Sequence, residues 1–167
     1  MADIGSLSKM VLFAGLSPDQ VASFVKAGKT VKMNEGQPVL VEGETGNTMY
    51  ILTDGKVDIT RRLGTTTDDR IGPQKVKRLL TLSAPMFFGE MSLLDDQADR
   101  SATVTAATDC EFLEFTRDGF EQVVASDREL GYRVVYNIAL VVAGRLRGTN
   151  KDVVKLTAAL SLALGNR

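Results

Sequence analysis

Phe88-Gly89-Glu90-Met91-Ser92-Leu93-Leu94, followed by Arg100-Ser101-Ala102-Thr103-Val104, decides how this chain is read. A Gly-Glu pair opens a short apolar turn, and an arginine follows the glutamate at the entrance of a β-branched run. A guanidinium forks around phosphate oxygens, and a carboxylate accepts hydrogen bonds from a sugar hydroxyl. The amides that open a short helix are ready anion donors. Taken singly, Glu90 and Arg100 read as a surface ion pair on a loop, worth at most about 1 kcal/mol. Their joint placement, flanked by Phe88-Gly89 and Ser101-Ala102-Thr103-Val104, points instead to a small ligand carrying hydroxyls and an anionic phosphate.

Working outward, residues 29–115 hold short β-prone runs punctuated by Gly36, Gly43, Gly46, Gly55, Gly64, Gly72 and Gly89. The runs are Thr30–Met33, Val39–Val41, Met49–Leu52, Lys56–Thr60, Val76–Leu82 and Cys110–Phe115. Asp54-Gly55 between two of them predicts a type I′ hairpin turn. Residues 63–74, rich in Thr, Asp and Gly, predict a long exposed hairpin loop. Many short strands at turn spacing imply a sandwich or barrel.

Both ends read as helical. Over 5–27 the spacing predicts short helices, with Ser17 as N-cap, Pro18 at the first helical position and Gln20 closing a capping box. Val21, Phe24 and Val25 form the apolar stripe. After residue 115, Thr116 predicts the cap of a helix over 117–125, and Ser126-Asp127-Arg128-Glu129 predicts a second capping box opening a longer helix. An apolar seam follows at Val135, Ala139, Val142, Leu146, Thr149, Val153, Leu156, Leu160 and Ala163, alternating four and three as in a coiled coil. Gly144 and Gly148 each weaken that helix by about 1 kcal/mol, so a bend is expected near them. The seam predicts a parallel homodimer; a helix folded back on its own β-structure is the alternative.

The bulk numbers agree with one soluble domain: 167 residues, 44% apolar, 25% charged, net charge −1. No global field steers the chain to nucleic acid or anionic membrane. The apolar stretch Ile138–Gly144 is interrupted by Arg145 and is far too short to span a bilayer. Met10–Leu16 is weakly signal-like but runs into the helix start at Ser17, so the protein reads as cytoplasmic. The chain has no His and one Cys. That disfavours zinc, haem and an iron–sulfur cluster, and leaves Cys110 as a small buried hydrophobe.

The segment 88–104 resembles the phosphate-binding cassette of cyclic-nucleotide-binding domains, in the form found in bacterial catabolite activators. Leu12–Leu16, Glu35-Gly36, Gly43, Gly46, Tyr50-Ile51 and Asp54–Val57 resemble other parts of the same domain, and the likeness covers roughly residues 10–160. It implies a mainly β fold: an eight-stranded antiparallel β-roll of jelly-roll type, N-terminal helices, and a C-terminal hinge and dimer helix.

It also implies the roles of particular residues. Glu90 would bind the ribose 2′-hydroxyl and Arg100 the cyclic phosphate. Phe88, Gly89, Met91, Ser92, Ser101 and Ala102 would line the site and supply backbone and hydroxyl contacts. Arg145–Asn150 resembles the activators' dimer helix, where a Thr-Ser pair meets the adenine, the Ser coming from the partner subunit. Thr149 would thus contact the base, with Asn150 standing in for that Ser. A Thr hydroxyl returned to its own helix carbonyl is the alternative. Many family members carry Pro before the arginine, where this chain has Asp99.

A catabolite activator continues into a DNA-reading domain, for which the 14 residues after Val153 leave no room. The expectation is therefore a stand-alone receptor for cAMP, or less readily cGMP. It would be non-catalytic, would not touch DNA or membrane directly, and would relay binding to an unidentified downstream protein. A scaffold that has lost its ligand and a receptor for cyclic di-GMP are the alternatives.

Overall fold

A computed structural model describes residues 4–63, 75–95 and 99–165; the expected loop tip over 64–74 lies outside them. The chain opens with helix α1 (Ile4–Leu7), a 3₁₀ turn (Val11–Phe13) and helix α2 (Pro18–Ala27). The Ser17 capping box forms in both directions: its hydroxyl accepts from the Gln20 amide, and the Gln20 side chain accepts from the Ser17 amide.

Among the described residues eight strands follow: β1 (Lys29–Met33), β2 (Pro38–Leu40), β3 (Thr48–Asp54), β4 (Lys56–Leu63), β5 (Lys75–Ser83), β6 (Met86–Phe88), β7 (Thr103–Ala106) and β8 (Cys110–Thr116). They form two antiparallel four-stranded sheets, in the orders β1-β8-β3-β6 and β2-β7-β4-β5. A helical turn, α3 (Met91–Leu94), interrupts them, and α4 (Arg117–Ser126) and α5 (Arg128–Gly165) complete the chain. The β-roll with flanking helices is the architecture expected.

Strand β3 is apolar on both faces because both are buried, as period-two alternation requires. Met49 and Ile51 face the helices, joining Phe13, Phe24, Phe115, Leu130, Val134 and Ile138 in one core. Tyr50 and Leu52 face the roll interior, joining Val57, Phe88, Val104 and Phe112 in a second. Phe24 ties α2 to the sheet through rings at 4.6 Å from Phe115 and 5.4 Å from Phe13. Burying a phenylalanine of this kind contributes about 1.5–3 kcal/mol. Asn137, buried on α5, donates to the carbonyls of Leu12 and Ala14 at 3.0 and 2.9 Å and pins the long helix to the 3₁₀ turn.

Two sequence expectations need correction. Asp54-Gly55 is not a hairpin turn: β3 belongs to one sheet and β4 to the other, so the pair marks a corner between sheets. Only Gly55 has positive φ (+94°), whereas a type I′ turn needs it at both central residues. The cap of α5 is Asp127, not Ser126. The Asp127 carboxylate accepts from the Leu130 amide at 3.0 Å, while the Ser126 hydroxyl turns back to the Val123 carbonyl. Helix α5 continues through Gly144 and Gly148 for 38 residues.

The first turns of α5 bury Leu130, Val134 and Ile138, a spacing of four offset by one position from the predicted seam. Along that seam, Val135 and Val142 are half-buried, and Leu146, Val153, Leu156 and Leu160 are exposed. Beyond Arg145 the helix does not fold back on the roll.

Candidate functional site

Residues 88–95 leave one sheet and residues 99–102 enter the other. Strand β6 delivers Phe88 at the edge of the first sheet, Gly89 turns the chain, α3 follows, and Arg100 precedes β7 of the second sheet. The Arg100 backbone is clamped on both sides: its amide donates to the Glu44 carbonyl and its carbonyl accepts from the Gly43 amide, each at 2.9 Å. The Asp99 carboxylate accepts from the exposed Thr45 hydroxyl at 3.2 Å.

A cleft of about 140 Å³ opens here, lined by Phe88, Gly89, Glu90, Met91, Ser92, Arg100, Ser101 and Ala102 from the expected segment. Leu40, Ile59, Val104, Asp99 and Arg145 complete its wall. Phe88 forms an apolar floor and leans on Tyr50, with ring centroids 5.9 Å apart.

Arg100 is only 7% exposed. Its Nη1 donates to the Thr48 carbonyl at 2.8 Å and the Ser92 hydroxyl at 3.0 Å, and its Nη2 donates to the Thr48 hydroxyl at 2.7 Å. A guanidinium has five N–H donors. Three are spent, which leaves the Nε hydrogen and one on Nη2. Among the described residues no carboxylate pairs with it. Burial lowers the Arg100 pKa, with the neighbouring Tyr50 pulling the other way. The same burial, followed by the hydrogen bond to Glu114, raises the pKa of Tyr50.

Two glycines make room for the guanidinium. Gly89 sits at φ +77°, and a Cβ there would lie 2.9 Å from the Thr48 carbonyl and 3.1 Å from Nη1. A Cβ at Gly46 would approach Nη2 to 2.5 Å. A methyl at either position would displace the arginine from its seat.

Glu90 is buried as well, at 2% exposure, yet it is not open as the sequence suggested. Arg145 of α5 reaches across the cleft, and its Nη1 donates to Glu90 Oε1 at 2.5 Å. The Arg145 guanidinium also lies over the Phe87 ring, 5.8 Å from its centroid. In the sequence Arg145 interrupts an apolar run and opens the segment that resembles the dimer helix, with no role at the cleft. Its signal was its position one helical turn before Thr149.

The structure does not bring Thr149 and Asn150 to the cleft. Both are exposed on α5, and the Thr149 hydroxyl donates back to the Arg145 carbonyl at 3.1 Å. Ser92 has a second tie: its carbonyl accepts from Arg117 Nη2 at 2.6 Å, joining the turn after β6 to the start of α4.

The cleft therefore offers one buried cation with unspent donors, one buried carboxylate, and an apolar floor. The pattern that defines the cyclic nucleotide-binding domain matches residues 30–127. The chain belongs to this family. Among its relatives is the CRP-like cAMP-activated global transcriptional regulator of Mycobacterium tuberculosis, 30% identical over 151 residues, covering 90% of this chain and 61% of that protein. The cAMP-dependent protein kinase regulatory subunit of Aspergillus fumigatus is 30% identical over 131 residues, covering 78% of this chain and 29% of its own length. The crystal structure of the Thermus thermophilus catabolite activator protein superposes with a TM-score of 0.75 at 30% identity, over 89% of this chain and 63% of that one. This cyclic nucleotide-binding domain thus spans about three fifths of the first of these relatives. Among its described residues no helix is long and apolar enough to cross a membrane.

Proposed function

We propose that this domain binds a cyclic mononucleotide, cAMP in preference to cGMP, without turning it over, and passes the binding event to α5 as a cytoplasmic signal receptor. The observation that carries the reading is Arg100. A buried guanidinium with no carboxylate partner is costly to hold, by several kcal/mol per unpaired ion in real interiors. Two unspent N–H donors beside an open cleft suit a phosphate, whose oxygens would supply the missing charge.

In this reading Glu90 receives the ribose 2′-hydroxyl, and Gly89, Met91, Ser92, Ser101 and Ala102 surround the phosphate and sugar. The Glu90–Arg145 pair is the relay. A ligand that meets Glu90 must share it with Arg145 or displace it, so the energy of the pocket depends on where α5 lies. A ligand shifts such an equilibrium only by its differential affinity for the two states. Residues 1–167 act as one unit, paired with a second copy through α5. Thr149 and Asn150 contact the base only in that paired state, and an unidentified protein reads the helix.

A scaffold that has lost its ligand is the competing reading, favoured by the occupancy of Glu90 and by a cleft below the roughly 300 Å³ at which ligand sites commonly start. Isothermal titration with cAMP and with cGMP separates the two. Saturable binding with cAMP the tighter ligand supports the receptor, and no binding of either overturns it.

A further inference from the structure

We propose that Arg117, the first residue of α4, is a positioning residue for Arg100, acting through Ser92. The link joins the phosphate seat to α4, apart from the Glu90–Arg145 pair that reaches α5. The inference rests on the reading of the cleft as a cyclic-nucleotide site. Arg117 does not line the cleft. Its Nη2 donates to the carbonyl of buried Ser92 at 2.6 Å, and the Ser92 hydroxyl accepts from Arg100 Nη1 at 3.0 Å. The Arg117 amide donates to the Asn47 carbonyl at 2.8 Å, and the next residue, Thr48, holds Arg100 by its carbonyl and its hydroxyl. Arg117, Ser92, Arg100 and the Asn47-Thr48 pair thus close a ring of hydrogen bonds, and Arg117 is the member that α4 contributes.

Helix α3 needs such support. A single helical turn is not stable alone, because nucleation fixes several residues for very few hydrogen bonds. Met91–Leu94 is four residues long, and Glu90 at its N-cap makes no capping bond with its side chain. Its place is set by what touches it from outside. Leu93 is anchored in the core shared with the helices, and Arg117 takes the carbonyl of the residue before it. A bond from a guanidinium is charge-assisted and among the stronger hydrogen bonds. Without it α3 is free to turn about Leu93 and carry the Ser92 hydroxyl off the Arg100 seat. The guanidinium then holds only to Thr48, and the Nε and Nη2 hydrogens left for the ligand lose their fixed direction. Coupling is reciprocal. A phosphate that fixes Arg100 also fixes Ser92 and the start of α4, whose Phe120 and Val123 share a core with Leu130 and Val134 of α5.

The test is titration of cAMP into the wild type, Arg117→Met, Ser92→Ala and the double variant, with adenosine as the ligand that shares base and sugar but lacks the phosphate. Arg117→Met is expected to lose affinity for cAMP by about 3- to 10-fold, the size of one hydrogen bond. Ser92→Ala should lose at least as much, and the double variant no more than Ser92→Ala alone. Adenosine, followed by NMR shift titration, should bind the wild type and Arg117→Met alike. Hydrogen exchange of the α4 amides should slow when cAMP binds the wild type, and at saturating cAMP this slowing should shrink in Arg117→Met. Unchanged cAMP affinity in Arg117→Met overturns the proposal, as do losses that add in the double variant, equal losses for adenosine and cAMP, or α4 slowing that the substitution leaves as it was. Where Arg117→Met does not fold, Arg117→Gln, neutral and shorter, takes its place in every arm.

A wild type that binds neither cyclic nucleotide sinks the reading of the cleft instead. The free protein then decides the positioning role. An Arg100 Nε–H resonance that is sharp in the wild type and broadened in Arg117→Met supports it, and one unchanged by the substitution overturns it.

Discussion

Replacing Arg100 with Ala should weaken cAMP binding by roughly 2–4 kcal/mol, about 30- to 1000-fold, because it removes a charge-assisted phosphate contact from a partly desolvated cleft. Arg100→Lys should recover little. A point charge cannot hold Thr48 and Ser92 while presenting a fork to the ligand. Titration of both variants checks this, and unchanged affinity in Arg100→Ala would contradict it. Glu90→Gln should weaken cAMP binding and also shrink the discrimination against 2′-deoxy-cAMP. A cycle of protein variant against ligand analogue measures the shared interaction. Fully additive losses would show that Glu90 does not meet the 2′-hydroxyl.

Among the elements, the start of α5 carries a pH-dependent contribution. The Leu130 amide, then the Gln20 side chain, hold the Asp127 carboxyl below its ordinary value of 3.8. A carboxyl depressed in the folded state stabilises above its unfolded pKa, and that contribution is lost as pH falls through the lower folded value. Asp58, held down by Thr81 and then Arg78, adds a decline of the same sign in every variant. The melting temperature of the wild type should therefore drop between about pH 5 and about pH 3, and Asp127→Asn, whose amide caps without titrating, should drop less. Thermal melts across that interval decide it, and equal declines would count against the cap.

Ser17, Gln20 and Thr116 were legible in the sequence because a cap is a local device, settled within three residues. Glu90 and Arg100 were legible as a cassette, and both line the cleft. The Asp54-Gly55 corner was not, since a turn signal fixes a positive φ but says nothing of which sheet each strand joins. The meeting of Glu90 with Arg145, 55 residues apart, was also hidden. Periodicity reports the face of a helix, and the residue that face will touch is set only by packing.

At the scale of the whole molecule, α5 leaves Leu146, Val153, Leu156, Leu160 and Leu164 exposed beyond the last residues packed on the roll. So long an apolar stripe is expected to be covered by a second copy in solution. Sedimentation at micromolar concentration should give a dimer, strengthened by cAMP if the partner's helix reaches the base, since linkage is reciprocal. A mass near the monomer's 18.1 kDa with and without ligand would rule this out and remove Asn150 from the ligand contacts.

The ion pair between Glu90 and Arg145 also has a mechanical meaning. It grips α5 close to where the helix leaves the body of the protein, so the residues beyond Arg145 form a lever arm about 30 Å long at 1.5 Å per residue. Swinging such an arm by about 10° carries its free tip about 5 Å, roughly one helical turn, while the side chains at the grip travel only a fraction of that distance.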